Sequence, residues 1–256
     1  MLTSERKTFI LERLRRDGRV VAKDTAHELG LSEDTLRRDL RELAAEGLLQ
    51  RVHGGALPAS PATVTLADRW AVAPGSKAAV ARAAARLVQP GQVIIIDGGT
   101  TAAQMARLLP RDLAATVVTH SPSVAVELAE HQKIDVEIIG GRLFKHSMVA
   151  MGAAAAEYMA GLHADIFFMG VTGIHPEMGL TTGNAEEAVI KRMLSRQAAE
   201  TVVFASREKL GAASSFRVLP VTAVDALVVE PDVPPELLEP YRQRGLAILC
   251  ETEGGD

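Results

Sequence analysis

A chain of 256 residues, 47% hydrophobic and 23% charged, has room for one large domain, or for a medium domain with a small appendage, and enough apolar surface to bury a core. Its formal charge of −4 excludes a polycation, and the single cysteine, Cys250, excludes an intrachain disulfide framework and points to a reducing cytoplasm. The opening MLTSERKTF lacks the apolar run of a secretory signal, and no later stretch reaches bilayer-spanning length, so no membrane partner is expected.

Three short helices are predicted in the first segment. Phe9, Ile10, Leu11 and Leu14 form a helical stripe between Ser4 and Asp17, closed by Gly18. A weaker pattern runs from Ala22 to Leu29 and stops at Gly30. The third helix has Ser32 as its N-cap, with Glu33 and Asp34 at the positive end of its dipole, and ends at Gly47. Leu36, Leu40 and Leu43 form its buried stripe, which leaves Thr35, Arg37, Arg38 and Arg41 outside. The pieces LLQRV and GGALP around His53-Gly54-Gly55 then predict a small β-hairpin, a wing. Pro58, Pro61 and Pro74 punctuate a stretch of little periodicity, expected to be an interdomain linker over residues 58–74, with Trp70 as an anchor between the domains.

From Lys77 onward, amphipathic helices alternate with short apolar strands. Helices are predicted over 77–88, 101–109, 123–131, 153–161, 186–199 and 235–244. Strands are predicted over 93–96, 116–118, 136–139, 166–169, 201–205, 226–229 and 247–249. That alternation implies a mostly parallel sheet covered on both faces, hence an α/β fold for residues 75–256 behind a small domain at 1–57.

The charge becomes informative when it is divided. Residues 1–57 carry 11 Lys and Arg against 10 Asp and Glu, or +1. The remainder carries 28 − 11 = 17 against 32 − 10 = 22, or −5. Arg37, Arg38, Arg41 and Arg51 fall within fifteen residues, enough for a phosphate-contacting patch on a near-neutral module. Two helices joined by Gly30-Leu31-Ser32 have helix-turn-helix spacing, in which the second helix enters the major groove. Arginine there serves base edges or phosphates equally well. A solvated helix face with Arg38 paired to Glu42 is the blander alternative. The following wing, which carries Arg51 and His53, favours DNA. The DNA-contacting set is then Ser32, Thr35, Arg37, Arg38, Arg41, Arg51 and His53.

The stretch TLRRDLRELAAEGLLQRVHGGA resembles the N-terminal signature of the DeoR family of bacterial transcriptional regulators. Arg69, Lys77, DGGTTA from Asp97, GGRL from Gly140 and the spaced Gly170, Gly173 and Gly179 extend the resemblance over nearly the whole chain. The second helix departs from it: Val21, Ala22 and Thr25 stand where the family has a serine and larger aliphatics, so this helix should pack less firmly. The resemblance implies a winged helix-turn-helix joined to a sensor domain similar in fold to ribose-5-phosphate isomerase. It also implies a phosphorylated sugar or related metabolite as effector, with Lys209 meeting it; Ser206 replaces the family's usual aspartate three residues earlier.

Residue chemistry points to the same pocket. Asp97-Gly98-Gly99-Thr100-Thr101, Thr119-His120-Ser121 and Gly140-Gly141-Arg142 all sit where strands end, the place where open α/β sheets bind ligands. A Gly-Gly-Thr-Thr turn entering a helix offers free N–H groups and hydroxyls to a phosphate. The expected effector contacts are Asp97, Gly98, Gly99, Thr100, Thr101, Thr119, Ser121, Gly140, Gly141 and Lys209. The rival reading is a sugar-phosphate isomerase-like enzyme fused to a DNA-binding module. Against it, DIFFMGVTG offers Gly170, Val171 and Thr172 where acid–base carboxylates would be needed, and Glu186 and Glu187 open a helix, where dipole reasons suffice. No histidine or cysteine spacing suits a metal, and no dinucleotide fingerprint or P-loop is present, so no cofactor and no catalytic residue are expected. The expectation is a cytoplasmic, homo-oligomeric repressor of a carbohydrate-related operon, with operator DNA and a phosphorylated sugar-type effector as partners.

Overall fold

The computed structural model describes residues 2–251. Helix α1 (Thr3–Asp17), strand β1 (Val20–Val21), α2 (Ala22–Glu28) and α3 (Glu33–Ala45) precede a hairpin of β2 (Leu49–Val52) and β3 (Gly55–Pro58). β1 joins this hairpin antiparallel to β3, so the wing is three-stranded. Ile10, Leu14, Val20, Leu36, Leu40, Leu43 and Leu49 make the core of this unit, separate from the rest. Beneath them lies a buried ion pair that the residue pattern does not announce. Arg6 on α1 grips Asp39 on α3 with two hydrogen bonds, 2.7 Å from Nε to Oδ2 and 3.0 Å from Nη2 to Oδ1. In α2, Ala22, Thr25 and Ala26 are buried against this core, and the Thr25 hydroxyl has no hydrogen-bond partner among the described residues.

Residues 58–74 are not an extended linker. A 3-10 turn at Pro61–Thr63 and helix α4 (Leu66–Arg69) fold this segment back onto the second unit as a strap. Ala59 bridges to Ala213, the Ser60 hydroxyl donates to the Thr172 carbonyl, and Leu66 N–H donates to His146 O at 2.8 Å. Ala62 and Leu66 are buried. The prolines that break helical periodicity therefore shape a docked segment, and the apolar side chains between them hold it. Trp70, expected to anchor the domains, is instead 39% exposed at the end of the strap.

The second unit contains α5 (Pro74–Ala85), β4 (Val93–Ile96), α6 (Thr100–Leu108), β5 (Ala115–Thr119), α7 (Pro122–Leu128) and β6 (Ile134–Ile138). After these come β7 (Arg142–Phe144), β8 (Val149–Met151), α8 (Ala153–Ala160), β9 (Ala164–Met169), β10 (Gly173–His175) and β11 (Gly179–Thr182). α9 (Ala185–Arg196), β12 (Ala198–Phe204), β13 (Phe216–Leu219), β14 (Ala226–Val229), α10 (Pro235–Arg242) and β15 (Ala247–Cys250) complete it. Seven strands form one parallel sheet in the order β15-β14-β12-β9-β4-β5-β6. Its central strands are apolar throughout because both faces are covered. Ile95, Phe167, Val203 and Leu227 pack on one side, and Ile94, Ile96, Phe168 and Phe204 on the other. Short antiparallel additions, β7–β8 and β10-β11-β13, have no counterpart among the predicted elements. Among the described residues no helix is long and apolar enough to cross a membrane.

The strand order fixes where a ligand can sit. From β4 the chain moves through β5 to β6 on one side, then returns to β9 and continues to β15 on the other. The direction thus reverses between β4 and β9, and the loops leaving these two neighbours diverge to opposite faces and open a crevice.

Candidate functional sites

The first site is the outer face of α3 and the wing. Ser32 caps α3, its Oγ accepting from Thr35 N–H at 3.2 Å, and the two hydroxyls lie 2.9 Å apart. Both groups are committed to the cap, which sets the angle at which α3 leaves the turn. Arg37, Arg38, Arg41, Arg51 and His53 are all exposed. Arg37 reaches back one turn to Glu33, at 2.8 Å. The Arg38–Glu42 pair of the blander alternative does not form, because Glu42 is taken by Lys7 of α1 at 3.2 Å. Arg38 and Arg41 are left without an ion-pair partner among the described residues, so their charge is available to an incoming phosphate or base.

The second site lies in the crevice between β4 and β9. Gly98 and Gly99 carry the chain from β4 into α6, and Gly99 caps that helix without any side-chain hydrogen bond. The first N–H groups of α6 therefore point unpartnered into the crevice, beside Thr100 and Thr101. A Cβ at Gly98 would fall 2.2 Å from Val149 Cγ1, so a larger residue there would have to displace that buried side chain. Lys77 from α5, Lys191 from α9 and Lys209 after β12 line the same cavity and are all buried; the strap contributes Arg69.

These cations differ in how far the fold has already used them. Lys191 is paired with Asp97. Arg69 donates to Val64 O, His146 O and Ser147 Oγ at 2.9–3.1 Å, tying the strap to the β7–β8 turn. Lys77 donates to the carbonyl of Arg69. Lys209 makes one long contact, 3.4 Å to Phe204 O. Burial pushes the Lys209 ammonium down to about 8, against a partial upward pull from Glu208, while Lys77, Arg69 and Lys191 add to the depression. A buried ammonium among other cations, with one weak acceptor, is a site short of negative charge.

The cavity brings together Gly98, Gly99, Thr100, Thr101 and Lys209 from the expected contacts, and leaves the others out. Asp97 lies beneath it with no exposed surface, accepting from Gly98 N–H, Gly170 N–H, Lys191 Nζ and His120 Nε2. Burial alone would raise its carboxyl, but the Lys191 charge and the His120 hydrogen bond hold it well below the usual carboxylate range. With its oxygens so occupied, Asp97 supports the floor of the cavity and is not among the residues that line it. Thr119 is buried, its hydroxyl donating to Ile96 O at 2.7 Å and accepting from Ser121 N–H at 3.1 Å. Ser121, also buried, contacts Met148 O at 3.4 Å. Gly140 and Gly141 lie away from the cavity; Gly141 lets the chain pass 2.7 Å from Met151 O at the place a Cβ would occupy.

Several lining residues escaped the sequence reading. Glu187 and Lys191 stand four apart on α9, so they share a face, and that face is turned to the pocket. The one-turn spacing was available as a signal, but acidic residues at a helix start have an ordinary explanation. Thr182 on β11, Thr172 in the bend before β10 and Ser147 in the β7–β8 turn have no local signature in the sequence.

Comparison with known proteins bears on both sites. A model described as a DeoR-like helix-turn-helix domain matches residues 6–62, and one described as a DeoR C terminal sensor domain matches residues 73–231. A putative aga operon transcriptional repressor of Escherichia coli O157:H7 is 32% identical over 98% of this chain and 95% of its own. The HTH-type transcriptional regulator GlpR of Haloferax volcanii is 34% identical over 97% of this chain and 98% of its own. Among solved structures, ribose 5-phosphate isomerase A from Methanocaldococcus jannaschii superimposes with a TM-score of 0.38 at 22% identity, covering 52% of each chain.

Proposed function

This chain belongs to the DeoR family of DNA-binding transcriptional regulators, and from that premise we propose that it represses a carbohydrate-related operon and leaves its operator when a phosphorylated sugar-type effector fills the β4–β9 crevice. It is a regulator and not an enzyme, as its full-length relatives are. The observation that carries the effector reading is the meeting of two unsatisfied features in one cavity: the uncapped N-terminus of α6 and the poorly partnered ammonium of Lys209. A phosphate monoester satisfies both, accepting from the backbone N–H groups while cancelling the buried charge.

On the DNA side, Arg38 and Arg41 with Arg51 and His53 contact the operator from α3 and the wing. Ser32 and Thr35 act through the helix start they hold. Two copies of the chain bind paired half-sites, since one small module reaches few base pairs and operator symmetry follows protein symmetry. The protein works in the cytoplasm.

Thermal-shift screening of the full-length protein against sugar phosphates, followed by titration of each hit into the operator complex, tests this reading. The expected result is a phosphorylated ligand that both stabilises the protein and releases DNA, with the unphosphorylated sugar doing neither. Equal effects from phosphorylated and unphosphorylated forms would overturn it.

A further inference from the structure

We propose that Glu187 reads the hydroxyl-bearing end of the effector, so that the pocket selects a polyhydroxy phosphate and holds it in one orientation; this rests on the phosphate reading above. Glu187 is only 8% exposed, yet its side chain lines the cavity. One carboxylate oxygen accepts from Thr182 Oγ1 at 3.3 Å, and the other accepts no hydrogen bond among the described residues. Among the described residues no cation lies within ion-pair distance of it: Arg69 on the strap feels its charge from farther off, and Lys191 one turn along the same helix is paired with Asp97. A buried carboxylate with a free acceptor position is costly unless a donor arrives.

Phosphate cannot be that donor. A phosphate dianion has only acceptor oxygens and would be repelled by the carboxylate, so it belongs with Lys209 and the α6 N-terminus, which line the same cavity. A hydroxyl, by contrast, donates directly to the vacant oxygen. The lining thus makes two opposite demands, and a ligand with a phosphate at one end and hydroxyls along its chain answers both. Glu187 also lines the cleft between the two units, where Leu49 and Gln50 of the wing face the sensor. The hydroxyl end therefore lies on the side of the pocket nearest the DNA-binding module.

Calorimetric titration of the full-length protein with inorganic phosphate, n-butyl phosphate, glycerol 3-phosphate, ribose 5-phosphate and hexose 6-phosphates tests the proposal. At least one polyhydroxy ester should bind about tenfold or more tighter than n-butyl phosphate, the expected worth of a hydrogen bond to a charged group. Glu187→Gln should shrink that gap to within about threefold while leaving inorganic phosphate and n-butyl phosphate as tight or tighter, since the repulsion is gone. Glu187→Asp, which withdraws the carboxylate from the pocket, should give the same answer if the glutamine variant does not fold. An undiminished gap in either folded variant, or no polyhydroxy ester outbinding n-butyl phosphate, overturns the role of Glu187. Failure of every phosphate to bind the unaltered protein counts instead against the phosphate pocket itself.

Discussion

Lys191, midway along α9, closes a buried ion pair on Asp97 at the end of β4, across 94 residues of chain. The pair locks the helix that carries Glu187 to the loop that opens α6, and it uses up the charge of Lys191. Asp97→Asn would leave that ammonium buried without its counter-charge. The variant should lose about 3–5 kcal/mol of stability, the usual result of breaking one side of a buried pair. Chemical denaturation of the full-length protein without ligand measures it. A variant as stable as the parent but unable to bind phosphate would mean that Asp97 faces the ligand after all.

Operator affinity should depend on the arginines that the fold leaves free. Replacing Arg38 and Arg41 together with Ala should abolish specific binding while the melting temperature holds, because both side chains are exposed and neither has an ion-pair partner among the described residues. Each lost bidentate base contact removes about 1–3 kcal/mol, and each lost phosphate contact flattens the salt dependence by about one unit of slope. Fluorescence anisotropy at several salt concentrations separates the two. Unchanged affinity in the folded double variant would remove α3 from the groove.

The hydroxyl of Thr25, buried in α2 without a partner, destabilises the DNA-binding unit. Thr25→Val keeps the shape and removes the unsatisfied group, so it should stabilise that unit by about 1 kcal/mol. Hydrogen exchange of α2 amides in the full chain gives the measurement, and faster exchange in the variant would contradict the account.

Lys209 predicts two opposite pH dependences. Its ammonium, pushed down to about 8 by burial, must be charged to hold a phosphate. Effector affinity should be level below pH 8 until the ligand's own second ionisation near pH 6 intervenes, and should fall by up to about tenfold per unit above pH 8. Stability of the ligand-free protein moves the other way. The unfolded chain holds the proton up to its ordinary 10.5, so unfolding takes up a proton between about pH 8 and 10.5, and stability rises through that window. Lys209→Met should stabilise the ligand-free protein below pH 8, flatten both profiles and remove phosphate binding. Titration calorimetry with parallel melts checks all three, and an unaltered affinity profile in the variant would refute the assignment.

Much of this architecture is legible one residue at a time. Ser32 marks the start of α3 as its spacing suggests, and the predicted strands at 93–96 and 226–229 coincide with β4 and β14. The Gly-Gly-Thr-Thr turn stands where α6 opens. What stayed hidden depends on partners remote in the chain. Arg6 and Asp39 look like surface charges on amphipathic helices until two helices are packed together. Asp97 looks like a pocket residue because it adjoins Gly98, which lines the cavity; only the arrival of Lys191 and His120 shows that its oxygens are occupied. The strap reads as a linker because prolines break periodicity whether a segment floats or docks, and short helices such as α4 leave little periodic signal.

The docking of the strap has a consequence for how such regulators can be recombined. Ala62 and Arg69 line the β4–β9 cavity, the proposed effector site, although they precede the first helix of the sensor in the chain. A graft that exchanged DNA-reading modules between relatives at residue 74 would import a foreign wall for the recipient's pocket and disturb what it senses as well as where it binds. A junction before Ala59 would carry the whole wall with its own cavity. On the proposed reading, operator choice and effector choice divide at the end of β3, upstream of the apparent boundary.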